Sequence, residues 1–154
     1  VLNDVEIDGK RYQEMHVDGG AMAQVFLYPP SLDIVGTSRA AGVERERIAY
    51  IVRNARLNPD WASVERNTMS ITSRAISSLI HTQGIGDLYR IFLVTRQDGV
   101  DYNLAFIGPD FDLEYKEQFD PVYMGKLFDY GYRLARPGYP WVKHPPGITL
   151  TVSR

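Results

Sequence analysis

The sequence predicts an α/β protein built from layers of helix and sheet, and three observations carry that expectation. Segments 48–53 and 100–107 are rich in β-branched and aromatic residues and read as buried strands. A long stretch of helical spacing separates them, and a second helical stretch follows the later strand. Strands that alternate with helices in this way pack the helices on a sheet.

The elements follow in order. Val5-Glu6-Ile7 and the segment 11–17 flank Asp8-Gly9, a strong hairpin signal. On the second strand Tyr12, Glu14, His16 and Asp18 share one face, while Met15 and Val17 take the other. Residues 21–28 are small and apolar, and Pro29-Pro30 stops regular structure. Residues 31–46 are mixed. After strand 48–53, Asn58-Pro59-Asp60 forms a turn.

A helix is expected from about residue 63 to Asp98-Gly99. Ile76, Leu79, Ile80 and Gln83 form one stripe, and Leu88, Tyr89, Phe92 and Leu93 continue the spacing. Gly84 and Gly86 are weak points within it. Strand 100–107 ends at Gly108-Pro109, and Asp110 to Lys116 alternates polar and apolar residues. Asp120-Pro121 starts the last helix, with Asp at the cap and Pro in the first turn. It carries Met124, Leu127, Phe128 and Leu134 and ends by Gly138. Residues 139–154 read as an extended tail. About four strands and three helices are thin for a complete doubly wound domain.

Composition bounds the function. The chain has 154 residues, 44% of them hydrophobic, which suffices for one core. A net charge of −2 gives no electrostatic case for nucleic acid. The lack of cysteine excludes disulfides, thiolate metal sites and a cysteine nucleophile. No apolar run reaches the roughly 20 residues of a membrane span. The chain opens at Val1 rather than methionine, which reads as a processing site or as a start part-way through a longer protein.

Asp18-Gly19-Gly20 is the first candidate for chemistry. A strand runs into the carboxylate, and the glycines let the backbone turn and keep bulk out of a cleft. The structural alternative is an ordinary strand-end turn. His16 lies two residues away on the same face, a spacing that points the two side chains in parallel. The three histidines are scattered, with no metal-binding spacing. Asp110, Asp112 and Glu114 imitate a calcium loop until Tyr115 stands where glycine is needed. Gly84-Ile85-Gly86 follows helical sequence and lacks a Walker lysine. Arg45, Arg47, Arg53 and Arg56 read as solvated surface, with an anionic lipid headgroup as the minority alternative. Tyr130, Tyr132, Tyr139 and Trp141 read as packing for the last helix. Gly36-Thr37-Ser38-Arg39-Ala40 fails as a nucleophile elbow, because alanine ends it and no strand leads in. The chain thus offers a base and no nucleophile.

Asp18-Gly19-Gly20 after an extended segment resembles the second conserved block of the patatin-like phospholipases. Tyr50-Ile51-Val52-Arg53-Asn54, Gln83-Gly84-Ile85-Gly86-Asp87-Leu88-Tyr89 and Asp101-Tyr102-Asn103-Leu104-Ala105-Phe106-Ile107 are similar to bacterial members. The likeness spans most of residues 5–147. Where members often place Asn and Pro after the glycines, this chain has Gln24 and Phe26.

The resemblance implies the C-terminal part of a three-layer α/β/α hydrolase. It also implies a Ser–Asp dyad on a lipid or other acyl ester, with Asp18 as the base, Gly19 and Gly20 in its motif, and Gln24 in support. The serine and the oxyanion loop would lie in an N-terminal part outside this sequence, so the chain alone is expected to be inert. No cofactor or metal is expected. Expected partners are the acyl-ester substrate, the N-terminal part, and a second copy through exposed apolar surface. The alternative is a stand-alone α/β binding module in which Asp18-Gly19-Gly20 is only a turn. A finished polar sheet edge would favour the module; a bare apolar edge or face would favour the hydrolase part.

Overall fold

The computed structural model describes residues 2–16, 19–21, 23–29, 31–58, 63–114, 117 and 119–148. Among these it is a mixed α/β structure with two small sheets and three α-helices.

The hairpin forms as its turn residues dictate. Strands β1 (Leu2–Ile7) and β2 (Lys10–Met15) pair antiparallel, with Ile7 opposite Lys10. Asp8 and Gly9 both have positive φ, 53° and 74°, as the favoured two-residue hairpin turn requires. Every residue of β2 is exposed, and β1 is nearly so. A lone two-stranded hairpin is marginal in water, so this one lacks a packing partner among the described residues.

The core is organised by a second sheet. A short helix, α1 (Ile34–Ala40), is capped by Asp33. Strand β3 (Ile48–Arg56) then pairs in parallel with β4 (Asp101–Ile107). Helix α2 (Thr68–Gln97) makes the crossover between them. It begins at Thr68, later than the periodicity suggests, because the Asn67 side chain accepts from Ser70 N–H and fixes the cap there. Its 30 residues run without a break through Gly84 and Gly86.

Only the second half of α2 is buried. Its inward stripe is Gly84, Asp87, Leu88, Ile91, Phe92 and Thr95. Leu88 packs with Ala49 and Ile51 of β3 and Tyr102 and Leu104 of β4. Phe92 meets Tyr102 edge-on at 5.3 Å. The predicted stripe in the first half faces solvent instead: Ile76, Leu79 and Ile80 are exposed, as are Met69 and Ile71.

Helix α3 (Pro121–Ala135) is capped by Asp120, whose carboxylate accepts from Val122 and Tyr123 N–H. It builds a second small cluster with Ile107, Phe111 and Tyr130. The tail is tied back: Leu104 and Val142 exchange backbone hydrogen bonds at 2.8 and 3.0 Å, and Trp141 stacks near Tyr50 at 4.9 Å. Residues 139–148 hold this one bridge among bends and a turn, and residues 149–154 of the tail lie outside the described set.

The tail therefore covers the outer edge of β4, while no described strand pairs the outer edge of β3. The two faces of β3 also differ. Ala49, Ile51 and Arg53 point toward α2 and are buried, whereas Ile48, Tyr50 and Val52 point away and are exposed, Val52 by 75%. Parallel sheets are normally covered on both faces, and among the described residues this one is covered by a helix on one face only. No helix among the described residues is long and apolar enough to cross a membrane.

The junction of tail and sheet makes a pH-dependent contact. Lys143 Nζ donates to Asp101 Oδ2 and to Asn103 Oδ1, each at 2.7 Å. These contacts, with Lys143 first and Asn103 second, hold the Asp101 carboxyl below the usual carboxylate range. An unfolded Asp titrates near ~3.9, so the contact stabilises fully above that pH and is lost as pH falls through the lower folded value. In Lys143→Met, an NMR titration should move the Asp101 pKa up toward ~3.9, and acid unfolding should begin at a higher pH. An unchanged Asp101 titration would contradict the assignment.

Candidate functional site

The site begins where the chain leaves the hairpin. Gly19–Ala21 forms a single 3-10 turn, and Ala23 N–H donates to the Gly19 carbonyl. The next residues lie against the middle of α2. The backbone N–H groups of Gln24 and Val25 donate to Asp87 Oδ2 at 2.8 and 3.4 Å. Gln24 Nε2 donates to the Ile80 carbonyl at 2.5 Å. Asp87 is 1% exposed, and Arg90 Nη1 stands 3.4 Å from its Oδ1 as an ion pair without hydrogen-bond alignment. A buried carboxylate on the helix thus clamps the segment after the glycines.

Arg53 approaches the same place from the sheet. It is the last buried position in the inward alternation of β3 and is 7% exposed. This corrects the expectation that the whole 45–56 arginine group is solvated surface. Arg53 Nε and Nη1 have no hydrogen-bond partner, and no ion pair joins the guanidinium to Asp87 among the described residues. Burial pushes its pKa down, and the nearby Asp87 charge restores part of that.

Gly84 makes this arrangement possible by lacking a side chain. A Cβ there would stand 2.3 Å from Gln24 Oε1 and 2.4 Å from Arg53 Nη1. The glycine serves close approach between helix, loop and strand, with no special φ involved. Beside it opens a cavity of about 350 Å³ whose wall includes Gln24, Arg53, Arg74, Ser77, Ser78 and His81. His81 Nε2 lies 3.3 Å from the Leu57 carbonyl.

The other candidates fall as follows. Asp18 lies outside the described residues, while Gly19 and Gly20 lead directly into the clamped segment. Gln24 is brought to the cavity wall. His16 sits at the exposed end of the hairpin, with Nε2 3.3 Å from Glu14 Oε2. Ser38 is inside α1, its hydroxyl donating to the Ile34 carbonyl, so the rejected elbow is a helical turn. Asp110 accepts from the Tyr130 hydroxyl at 2.8 Å, and no group of three metal-ligating side chains occurs among the described residues. Tyr130 packs on Phe111, and Tyr139 on Trp141. Tyr28 donates to Asp98 Oδ2 at 2.7 Å; burial first, and that bond second, push its pKa up to about 12.

Two residues that build the site were not singled out as such in the sequence. Asp87 was legible as an acid inside an apolar helical stripe, between Gly84 and Leu88. Arg53 is a charge at a strand position whose inward direction shows only once α2 is placed against β3. Both break a burial pattern, which is the signal for a buried polar contact.

No family model, curated protein or solved structure matches the chain.

The two glycines of α2 should respond oppositely to alanine. Gly84→Ala forces Gln24 and Arg53 aside and should cost about 1–2 kcal/mol, overpacking outweighing the gain in helix propensity. Gly86→Ala meets nothing within 4 Å and should gain ~0.5–1 kcal/mol. Urea unfolding of both variants checks this; equal shifts would contradict the close approach at Gly84.

Proposed function

We propose that this chain forms the C-terminal part of a patatin-like lipid acyl hydrolase, bacterial in type, with a three-layer α/β/α fold. Asp18 supplies the aspartate of its Ser–Asp dyad. The serine comes from an N-terminal part of the same protein. The observation that carries the reading is the half-covered parallel sheet. Strand β3 exposes an unpaired edge and an apolar outer face at Ile48, Tyr50 and Val52. A stand-alone module would have finished that edge.

The residues toward the sheet's outer side add to this. A groove of about 480 Å³ runs between Asn54, at the end of the bare face, and Met124, Phe128 and Tyr132 of α3. The exposed first half of α2 is a third surface that needs cover. These surfaces are where the serine-bearing layer would pack.

In this reading Asp18 orients the serine and takes its proton as the hydroxyl attacks the ester carbonyl. An ordinary Asp, with a pKa near ~3.9, is a weak base at neutral pH. Closure of an acyl pocket around it would desolvate the carboxylate and raise its basicity. Backbone donors of the N-terminal part would hold the tetrahedral oxyanion, each worth roughly 2.7–4 kcal/mol by analogy with a serine hydrolase. Gln24 holds the segment after Gly20 on α2 and so fixes where the Asp-Gly-Gly turn starts. It is a positioning residue.

The chain alone should turn over no acyl ester. A longer protein with Gly-x-Ser-x-Gly ahead of Val1 should do so. In it, Asp18→Asn should lower kcat by about 10²–10⁴-fold with the unfolding midpoint unchanged. Hydrolysis assays on short-chain and phospholipid esters measure both. Full activity of Asp18→Asn would remove Asp18 as the base, and robust turnover by this chain alone would overturn the division of the dyad.

A further inference from the structure

The cavity beside Gly84 is lined by a buried cation with donors left without hydrogen bonds. Arg53 is more than nine-tenths buried, lines the cavity, and has neither Nε nor Nη1 in a hydrogen bond. Leaving a buried cation without a hydrogen-bonding partner is costly, and replacement by an apolar residue is normally neutral or stabilising. The nearby acid offsets part of the charge but gives Arg53 no hydrogen bond: Asp87 Oδ2 accepts from the Gln24 and Val25 backbone, and its Oδ1 faces Arg90.

Much of the rest of the wall is polar, with Ala55 and Ile80 as its apolar part. Arg74, Ser77, Ser78 and His81 project from successive turns of α2 on the side that meets Arg53. The described lining includes no carboxylate; it combines two guanidinium groups with the hydroxyls of Ser78, Thr82 and Ser77, the last donating to the Ser73 carbonyl. A forked guanidinium matches a phosphate or carboxylate oxyanion with paired donors, and the Ser78 hydroxyl can add to such a shell. The cavity, about 350 Å³, has room for a phosphate together with a small organic substituent.

We propose that this cavity is a binding site for a phosphate-class oxyanion, with Arg53 at its base and Arg74 at its wall. The group is either the phosphate of a small soluble ester or the headgroup phosphate of an anionic lipid. The site stands apart from the acyl-hydrolase reading, because it uses no residue of the dyad and is read by binding rather than turnover.

Thermal unfolding of the full chain in increasing inorganic phosphate tests the site. Phosphate is also an excluded solute that raises midpoints nonspecifically, so the readout is the difference between the parent chain and Arg74→Gln. The parent should gain about 2–4 °C over the variant when phosphate reaches roughly five times its dissociation constant. Arg53→Met should unfold at an equal or higher midpoint without phosphate and lose the phosphate increment. Should Arg53→Met fold poorly, Arg74→Gln carries the comparison alone, since Arg74 is half-buried and stands outside the buried stripe of α2.

Vesicles separate the two sources. Co-sedimentation with phosphatidylcholine vesicles containing phosphatidic acid, and not with phosphatidylcholine alone, identifies the headgroup when Arg74→Gln abolishes it. A phosphate increment without vesicle binding identifies a soluble phosphate ester. Identical phosphate responses in the parent chain, Arg74→Gln and Arg53→Met would overturn the site.

Discussion

A parallel strand pair has to be covered on both faces, and that constraint governs the whole structure. β3 and β4 run parallel because α2 makes the crossover between them, and α2 then seals one face with Leu88, Ile91 and Phe92. The tail seals the far edge of β4 through Val142. On the other side of β3 the apolar residues continue and their cover does not. The exposed groove on α3 and the bare first half of α2 follow the same pattern. Each exposes large apolar side chains: Ile48 and Val52 on β3, Met124 and Phe128 on α3, and Ile76 and Leu79 on α2.

Within the covered face, polar contacts do the positioning. The Asp87 carboxylate takes two backbone N–H groups, those of Gln24 and Val25, and so ties the segment after the Gly19–Ala21 turn to α2. Gly84 lets Gln24 and Arg53 come within reach of the helix backbone. A Cβ there would displace the ends of the Gln24 and Arg53 side chains where strand, helix and loop come together. Burial also governs the tyrosines of this core: Tyr102, with no hydrogen-bond partner for its hydroxyl, has its pKa pushed up to about 12.

Much of the fold was legible from the sequence, for local reasons. Asp8-Gly9 fixes a hairpin because its backbone demands positive φ, and Asp120-Pro121 fixes a helix start because the carboxylate caps free N–H groups. The continuity of α2 through Gly84 and Gly86 was less legible, since glycine weakens a helix and only packing against Arg53 and Gln24 explains its presence. Two things were not legible. The α2 stripe at Ile76, Leu79 and Ile80 has the spacing of a core face, yet periodicity cannot say what would cover it. Arg53 lies in a local basic cluster, and only strand alternation combined with the position of α2 shows that it points inward while Arg45 does not. Of the motif residues, Gly19, Gly20 and Gln24 are placed and Asp18 lies outside the described set, so its role rests on the sequence resemblance.

The claim that β3 carries an uncovered outer face is tested most directly by sedimentation velocity of the full chain across a concentration series. An apolar face of this kind should drive self-association, and Val52→Lys combined with Phe128→Lys should abolish it while helical circular dichroism is kept. A parent chain that stays monomeric at every concentration, indistinguishable from the double variant, would contradict the account.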